Sequence, residues 1–127
     1  MERPDSVLQG IRPVLHLPET PDCNVVEHFQ NTVLRPIIKF QHHLILSMVT
    51  QHSSYVPAKL KVLTDAQFLQ AIRILLQSNI PLRNQLIGAV LGLFTMPEFE
   101  VYSLHTTELN RRIIQMIAQR VSDTVRA

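Results

Sequence analysis

Apolar residues recur every three or four positions along most of the chain, which is the spacing that one face of a helix requires. The longest such segment begins at Asn24, keeps its apolar face through Met48 and is expected to end near His52. Three further helical segments follow, and no stretch shows the alternation of a strand. The pattern predicts an all-α fold: an unequal four-helix bundle with two long helices, A and D, and two short helices, B and C.

The beginnings of helices A, B and D carry capping signals, in which a short polar residue is followed three positions later by Glu or Gln. These pairs are Asn24 and Glu27, Thr64 and Gln67, and Thr95 and Glu98. Pro81 marks the beginning of helix C, because proline fits the first helical turn, where its missing N–H costs nothing. The signals predict where each helix begins.

Helix C is apolar almost all round from Leu86 to Phe94, which predicts the most buried of the four helices. Gly88 and Gly92 lie four residues apart on it. Since glycine has no side chain, this spacing favours the close approach of another backbone inside the core.

Pro36 lies in the middle of helix A, where it lacks an N–H and leaves the carbonyl of Thr32 without its helical donor. Two outcomes are compatible with it: a kink, or a break at which a second helix begins. The apolar phase continues through Pro36 without a slip, which favours the kink. We expect Arg83 or Asn84, at the start of helix C, to donate to the freed carbonyl.

The first 21 residues contain four prolines, which predicts an extended arm over residues 1–21 ahead of a helical bundle domain at 22–127. A frayed terminus is the alternative. If the arm docks on the bundle, its apolar side chains are expected to provide the contact: Val7, Leu8, Ile11, Val14, Leu15 and Leu17.

Length and composition narrow the possible classes of protein. The 127 residues fit one domain, and a single cysteine excludes an internal disulfide and favours the cytoplasm. The longest apolar stretch is much shorter than a membrane span, so no membrane association is expected. A net charge of +2 without a concentrated basic stripe argues against a nucleic-acid partner.

A polar arc of helix A is the first candidate site. Such an arc is typically a solvated face; the alternative is a groove that binds a small anionic ligand, joined by residues at the start of helix C and on helix D. The candidate ligand-binding residues are Asn31, Arg35, Lys39, His42, Arg83, Asn84 and Asn110. The adjacent pair Arg111 and Arg112 is interpreted in the same two ways, as solvated or in contact with a phosphate or partner chain.

Catalytic and metal-binding patterns are missing from the sequence. No two histidines have the helical ligand spacing of three or four residues, so no metal is expected. Cys23 follows Asp22, whose negative charge raises the pKa of a neighbouring thiol. Three glycines cannot build a phosphate-cradling loop. We therefore expect no catalytic residue and no cofactor.

Excess apolar surface on helix A predicts self-association. Leu34, Ile38 and Ile45 widen its apolar arc past about 200°, more than one contact surface within a chain needs. These three residues are the candidate interface, and a twofold dimer is the commonest arrangement. The first functional hypothesis is a non-enzymatic helical module that self-associates or binds a partner. The second is a pocket for a small molecule or an anion, in a binding protein or in an enzyme.

Several segments resemble a small family of bacterial helical proteins. The stretch FQNxxLRPIxKxQ occupies residues 29–41, and further similar segments are residues 82–86 and 109–112. The resemblance covers about residues 24–122 and implies a helical fold without implying an activity. Some members carry the name glyoxalase, but this chain has neither the strands nor the ligand spacing of such enzymes. Where the relatives have Asn-Asp or Asn-Glu, this chain has His42-His43.

Overall fold

A computed structural model describes residues 2–15 and 24–127. All regular structure in these two ranges is helical, which confirms the all-α prediction. A π-helical turn, Gln30–Leu34, joins the second and third α-helices. The α-helices are α1 (Asp5–Gly10), α2 (Val25–Phe29), α3 (Arg35–Phe40), α4 (His42–Thr50), α5 (Pro57–Leu60), α6 (Asp65–Ser78), α7 (Ile80–Leu91), α8 (Met96–Leu104) and α9 (Thr106–Val125).

Both predicted long helices are interrupted. Helix A consists of α2, the π-helical turn, α3 and α4, with Gln41 leaving helical geometry at φ −86° and ψ 10°. Helix D divides into α8 and α9 at His105, where φ is −136° and ψ is 33°. Helices B and C correspond to α6 and α7. The layout of two long and two short helices is therefore not confirmed, and α9 carries the longest uninterrupted run, 20 residues.

Pro36 is accommodated differently from the prediction. The π-helical turn ends just before α3, Leu34 and Arg35 keep helical backbone angles, and the Arg35 N–H donates to the Gln30 carbonyl five residues back. The helix therefore continues into Pro36, and the irregular hydrogen bonding of the π turn accommodates the missing N–H. The Thr32 hydroxyl donates to the His28 carbonyl at 2.8 Å. Among the described residues, neither Arg83 nor Asn84 donates to Thr32. The predicted link between Pro36 and helix C is wrong.

The predicted capping boxes form in full at Thr64 and Thr95 and in half at Asn24. The side chains of Thr64 and Thr95 each accept a hydrogen bond from the backbone N–H three residues later, and the side chains of Gln67 and Glu98 each accept one from the N–H of the cap residue. Asn24 accepts from the Glu27 N–H at 2.8 Å. Local side-chain chemistry therefore fixes the beginnings of α2, α6 and α8.

The glycines of α7 do not mediate close packing. A Cβ atom at Gly88 would meet no atom within 4 Å, and one at Gly92 would meet only the Gly88 carbonyl of the same helix. Both residues are exposed. The prediction of a close backbone approach there is wrong, because the apolar neighbours on the opposite face of α7 face the core instead.

The core lies between helix A, α6, α7 and α9. Leu34, Ile38 and Ile45, the predicted interface residues, are at most 1% exposed within the single chain. Helix A contacts both α7 and α9, so its wide apolar arc is covered from two sides by its own chain. The prediction that these three residues form an exposed interface is therefore wrong.

The N-terminal segment is helical over α1, where an extended arm was predicted. Its prolines flank the helix: Pro4 is the cap and Pro13 follows the end, so neither interrupts the hydrogen bonds. Val7 and Val14 are 60% and 82% exposed and do not dock. Leu15 is half-buried, and Leu17 lies outside the described residues.

Arginines, and not apolar side chains, dominate the docking of this segment. Arg3 donates to the carbonyls of Phe94 (2.7 Å) and Gly92 (2.6 Å). Arg12 donates to the Leu93 carbonyl at 2.8 Å and to both carboxylate oxygens of Glu98 at 2.6 Å. These carbonyls follow the C-terminus of α7, where backbone acceptors lack helical donors and cations are favoured. The N-terminal segment thus supplies the cap of α7.

Candidate functional site

A groove of about 730 Å³ lies among side chains of helix A, α6 and α9. Leu15 of the N-terminal segment, Ile38 and Met116 give it apolar contacts. The other lining residues are polar or charged: Gln30, Arg35, Lys39, Arg73, Arg112, Gln115, Gln119, Arg120, Asp123 and Thr124. Its volume is within the range of small-molecule sites.

The groove concentrates positive charge. Five of the chain's twelve cationic side chains line it. Of the ten carboxylates, one is found among the lining residues that the structure describes. That carboxylate, Asp123, accepts a hydrogen bond from Gln119 at 2.8 Å. A concave surface with cations on several walls focuses a positive potential on its interior.

The arginines of the groove retain unused donors. The Nε atoms of Arg73 and Arg112 are buried and have no hydrogen-bond partner among the described residues. Arg112 does donate through its Nη atoms, to Gln30 at 2.7 Å and to Glu108 at 3.2 Å. A buried donor without an acceptor is costly, so both Nε–H groups favour an acceptor that enters the groove.

Most of the groove's cations lack an acidic partner. The ion pairs found in residues 2–15 and 24–127 join Arg12 to Glu98, Arg112 to Glu108, and Arg126 to Asp65. Of the five groove cations, this set pairs only Arg112 with an acid. An anion in the groove would therefore meet cations that are not paired with any carboxylate of the described residues.

Two neighbours orient the groove's arginines. Asn31 accepts from the Nε of Arg35 at 3.0 Å, across one helical turn. His42 Nδ1 lies 3.3 Å from an Nη of Arg120. Because a guanidinium is always a donor, Nδ1 is the acceptor and the proton of neutral His42 resides on Nε2. Burial lowers the pKa of His42, and the charge of Arg120 and the neighbouring His43 lower it further.

The predicted ligand-binding residues separate into two places. Arg35 and Lys39 line the groove, and Asn31 and His42 contact its arginines. Asn110 instead accepts a hydrogen bond from the Tyr102 hydroxyl.

Arg83 lies near that same tyrosine. Burial raises the pKa of Tyr102, while the Asn110 hydrogen bond and the positive charge of Arg83 oppose the rise. Asn84 is exposed and does not line the groove. The predicted convergence of all seven residues on one site is not found: Arg83, Asn84 and Asn110 lie elsewhere.

Three groove cations were not among the candidates. Arg112 and Arg120 lie eight residues apart on α9 and therefore share a face, a periodicity that could have marked them. Arg112 was considered only as half of a basic pair. Nothing in the neighbouring sequence marks Arg73 as a groove residue, since it is a single cation among apolar residues of α6.

Metal chemistry has no cluster of ligands to support it in the described part of the chain. No group of three or more His, Cys, Asp or Glu side chains lies together there. Cys23 lies outside the described residues. In the same part of the chain no helix is both long and apolar enough to cross a bilayer. The side chains that line the groove are mainly hydrogen-bond donors, which are suited to binding a negatively charged group.

Comparisons with protein-family models, with curated proteins and with solved structures find no match for this chain.

Proposed function

We propose that the protein binds a small anionic ligand in the groove between helix A, α6 and α9. The observation that carries this proposal is the excess of cations over carboxylates among the groove's side chains. Like charges held close together repel, and the repulsion is weakened when an anion lies between them. We propose a binding role and not a catalytic one, because the side chains of the groove supply hydrogen-bond donors and positive charge.

A solvated cationic face is the ordinary alternative, and two details argue against it. Solvated arginines extend into water, whereas the Nε atoms of Arg73 and Arg112 are buried and find no acceptor among residues 2–15 and 24–127. Arg35 is also fixed in place by Asn31. Such orientation lowers the entropy that a ligand must remove on binding.

A thermal-shift experiment on the full chain tests the proposal. Phosphate, sulfate and citrate are compared with sodium chloride at matched ionic strength, for the unmodified chain and for Arg73→Gln. A ligand at 100 times its dissociation constant adds about 2.7 kcal/mol of stability, equivalent to about 10 °C for a domain of this size. Arg111→Gln is the control, since Arg111 is exposed on α9 outside the groove.

The expected result is a shift for the unmodified chain and for Arg111→Gln, with a smaller shift for Arg73→Gln. Equal shifts in all three proteins, or none beyond that of sodium chloride, would contradict the proposal. Circular dichroism of each variant establishes that the fold is retained.

Self-association is the second candidate function, on different residues from those first predicted. Phe40 ends α3 and Leu44 lies in α4, and they are 47% and 50% exposed. Exposed apolar side chains of this kind favour a twofold contact between copies. Light scattering coupled to gel filtration gives the mass: a dimer that Leu44→Glu converts to a monomer supports this candidate, and a monomer at tens of micromolar contradicts it.

A further inference from the structure

We infer that the ligand of the groove carries two or more linked phosphoryl groups and is a compact molecule, such as a di- or triphosphate. This inference rests on the proposed function and names the chemical class of its ligand.

The spread of the cations over neighbouring helices favours a ligand with several negative groups. Arg112 and Arg120 are eight residues apart on α9, which corresponds to about 12 Å along the helix. Arg35 and Lys39 occupy adjacent turns of helix A, which also lines the groove. The two oxygens of a single carboxylate cannot contact both ends of this arrangement. A chain of linked phosphoryl groups can.

The type of cation favours phosphate over carboxylate as well. Four of the five are arginines, whose planar guanidinium donates two parallel hydrogen bonds to a phosphate. In the part of the chain that the structure describes, the Nε–H groups of Arg73 and Arg112 have no acceptor, so neither is committed to a protein partner. Tetrahedral phosphoryl groups present oxygens toward several walls at once, whereas a planar carboxylate presents two in one plane.

A carboxylate in the groove also disfavours a continuing nucleic-acid strand. Asp123 lies three residues beyond Arg120 on α9 and is a lining residue. A phosphate backbone that continued past Arg120 would meet this carboxylate, and like charges repel. The half-buried Leu15 and Met116 offer an apolar contact for the non-phosphate part of a ligand. These features favour a compact polyphosphate over a polymer.

Isothermal titration of the full chain with inorganic phosphate, pyrophosphate, tripolyphosphate and citrate tests the inference, at about 50 and about 200 mM sodium chloride. We expect affinity to rise about tenfold with each added phosphoryl group, because each adds charge-assisted hydrogen bonds. Citrate carries several carboxylates and is expected to bind at least about tenfold more weakly than tripolyphosphate. Arg35→Gln and Arg112→Gln should each weaken tripolyphosphate binding, and Arg111→Gln should not.

The outcomes separate the inference from the proposal on which it rests. Citrate binding as tightly as tripolyphosphate would overturn the phosphoryl class and leave an anion site intact. Tighter binding of a short single-stranded oligonucleotide than of tripolyphosphate would overturn the compact ligand. No heat and no thermal shift with any of these anions would overturn the proposed function itself. Arg73→Lys retains the positive charge but lacks the planar guanidinium that donates two parallel hydrogen bonds. Weaker tripolyphosphate binding by this variant would therefore support the guanidinium contact.

Discussion

Removal of Arg12 gives the sharpest test of how the N-terminal segment is held. Arg12 and Glu98 form a bidentate ion pair whose side chains are 8% and 13% exposed. Arg12→Ala removes both of these bonds and the third bond to the Leu93 carbonyl. It leaves Glu98 with its backbone bond from Thr95 and no cation within reach among the described residues.

The expected loss of stability follows from this burial. Breaking a buried ion pair by removing one partner costs about 3–5 kcal/mol. Glu98 keeps the Thr95 bond, and the freed N-terminal segment lets water reach the carboxylate, so the loss is expected below that range, at about 2–3 kcal/mol. For a domain of this size the melting temperature should fall by about 8–12 °C.

Urea denaturation of a double-mutant cycle measures the pair itself. Glu98→Gln retains the Oε1 acceptor of the capping box while it removes the charge. Together with Arg12→Ala and the double variant it isolates the coupling free energy, expected at about 2 kcal/mol. A coupling below about 0.5 kcal/mol, the value of a solvated surface pair, would refute this account of the docking. Arg111→Ala is the control for loss of an exposed arginine.

The same pair predicts a dependence on pH. Burial alone raises the pKa of Glu98, but hydrogen bonds from Arg12 and Thr95 outweigh it and hold the pKa below its ordinary value of 4.5. A lowered pKa means that the carboxylate stabilises the fold above pH 4.5, and that this stability is lost as the pH falls through the folded-state pKa. The acid loss should be smaller in Arg12→Ala.

Two further predictions concern helix A. An NMR titration should give His42 a pKa below 6.5, since burial and Arg120 lower it; Arg120→Gln should raise it, and stability should fall as the pH drops below 6.5. An unchanged pKa in that variant would contradict the contact. Leu34→Ala should cost about 3–5 kcal/mol in urea denaturation, because Leu34 is fully buried. Leu44→Ala should cost less than about 1 kcal/mol, and the reverse order would contradict the assigned burial.

Features fixed by neighbouring residues were predictable from the sequence. The boxes at Thr64 and Thr95 form because their hydrogen bonds join residues three positions apart. The breaks at Gln41 and His105 were not predictable, since neither position carries the glycine or proline that usually ends a helix. The α1 helix was missed because prolines that flank a helix leave the same composition as prolines that prevent one.

The groove was only half predictable for a related reason. Arg35 and Lys39 share a helical face and were found by periodicity. Arg73 joins them only through the packing of α6 beside helix A and α9, and no spacing within one segment encodes that packing. The same limit explains why Arg83 and Asn110, sensible partners by composition, are found around Tyr102 instead.

The π-helical turn at Gln30–Leu34 affects how many residues this part of the chain can contain. A π turn holds one residue more than the α-helical spacing allows. Deletion of one codon here would let the turn close as a regular α-helical turn, with the segments on both sides of it still facing the core. Phe29, buried against Phe94, would then keep its place, whereas the same extra residue in regular α-helical geometry would rotate Phe29 by about 100° away from the core. The irregular hydrogen bonding thus lets this helix contain one added residue while both of its halves face inward.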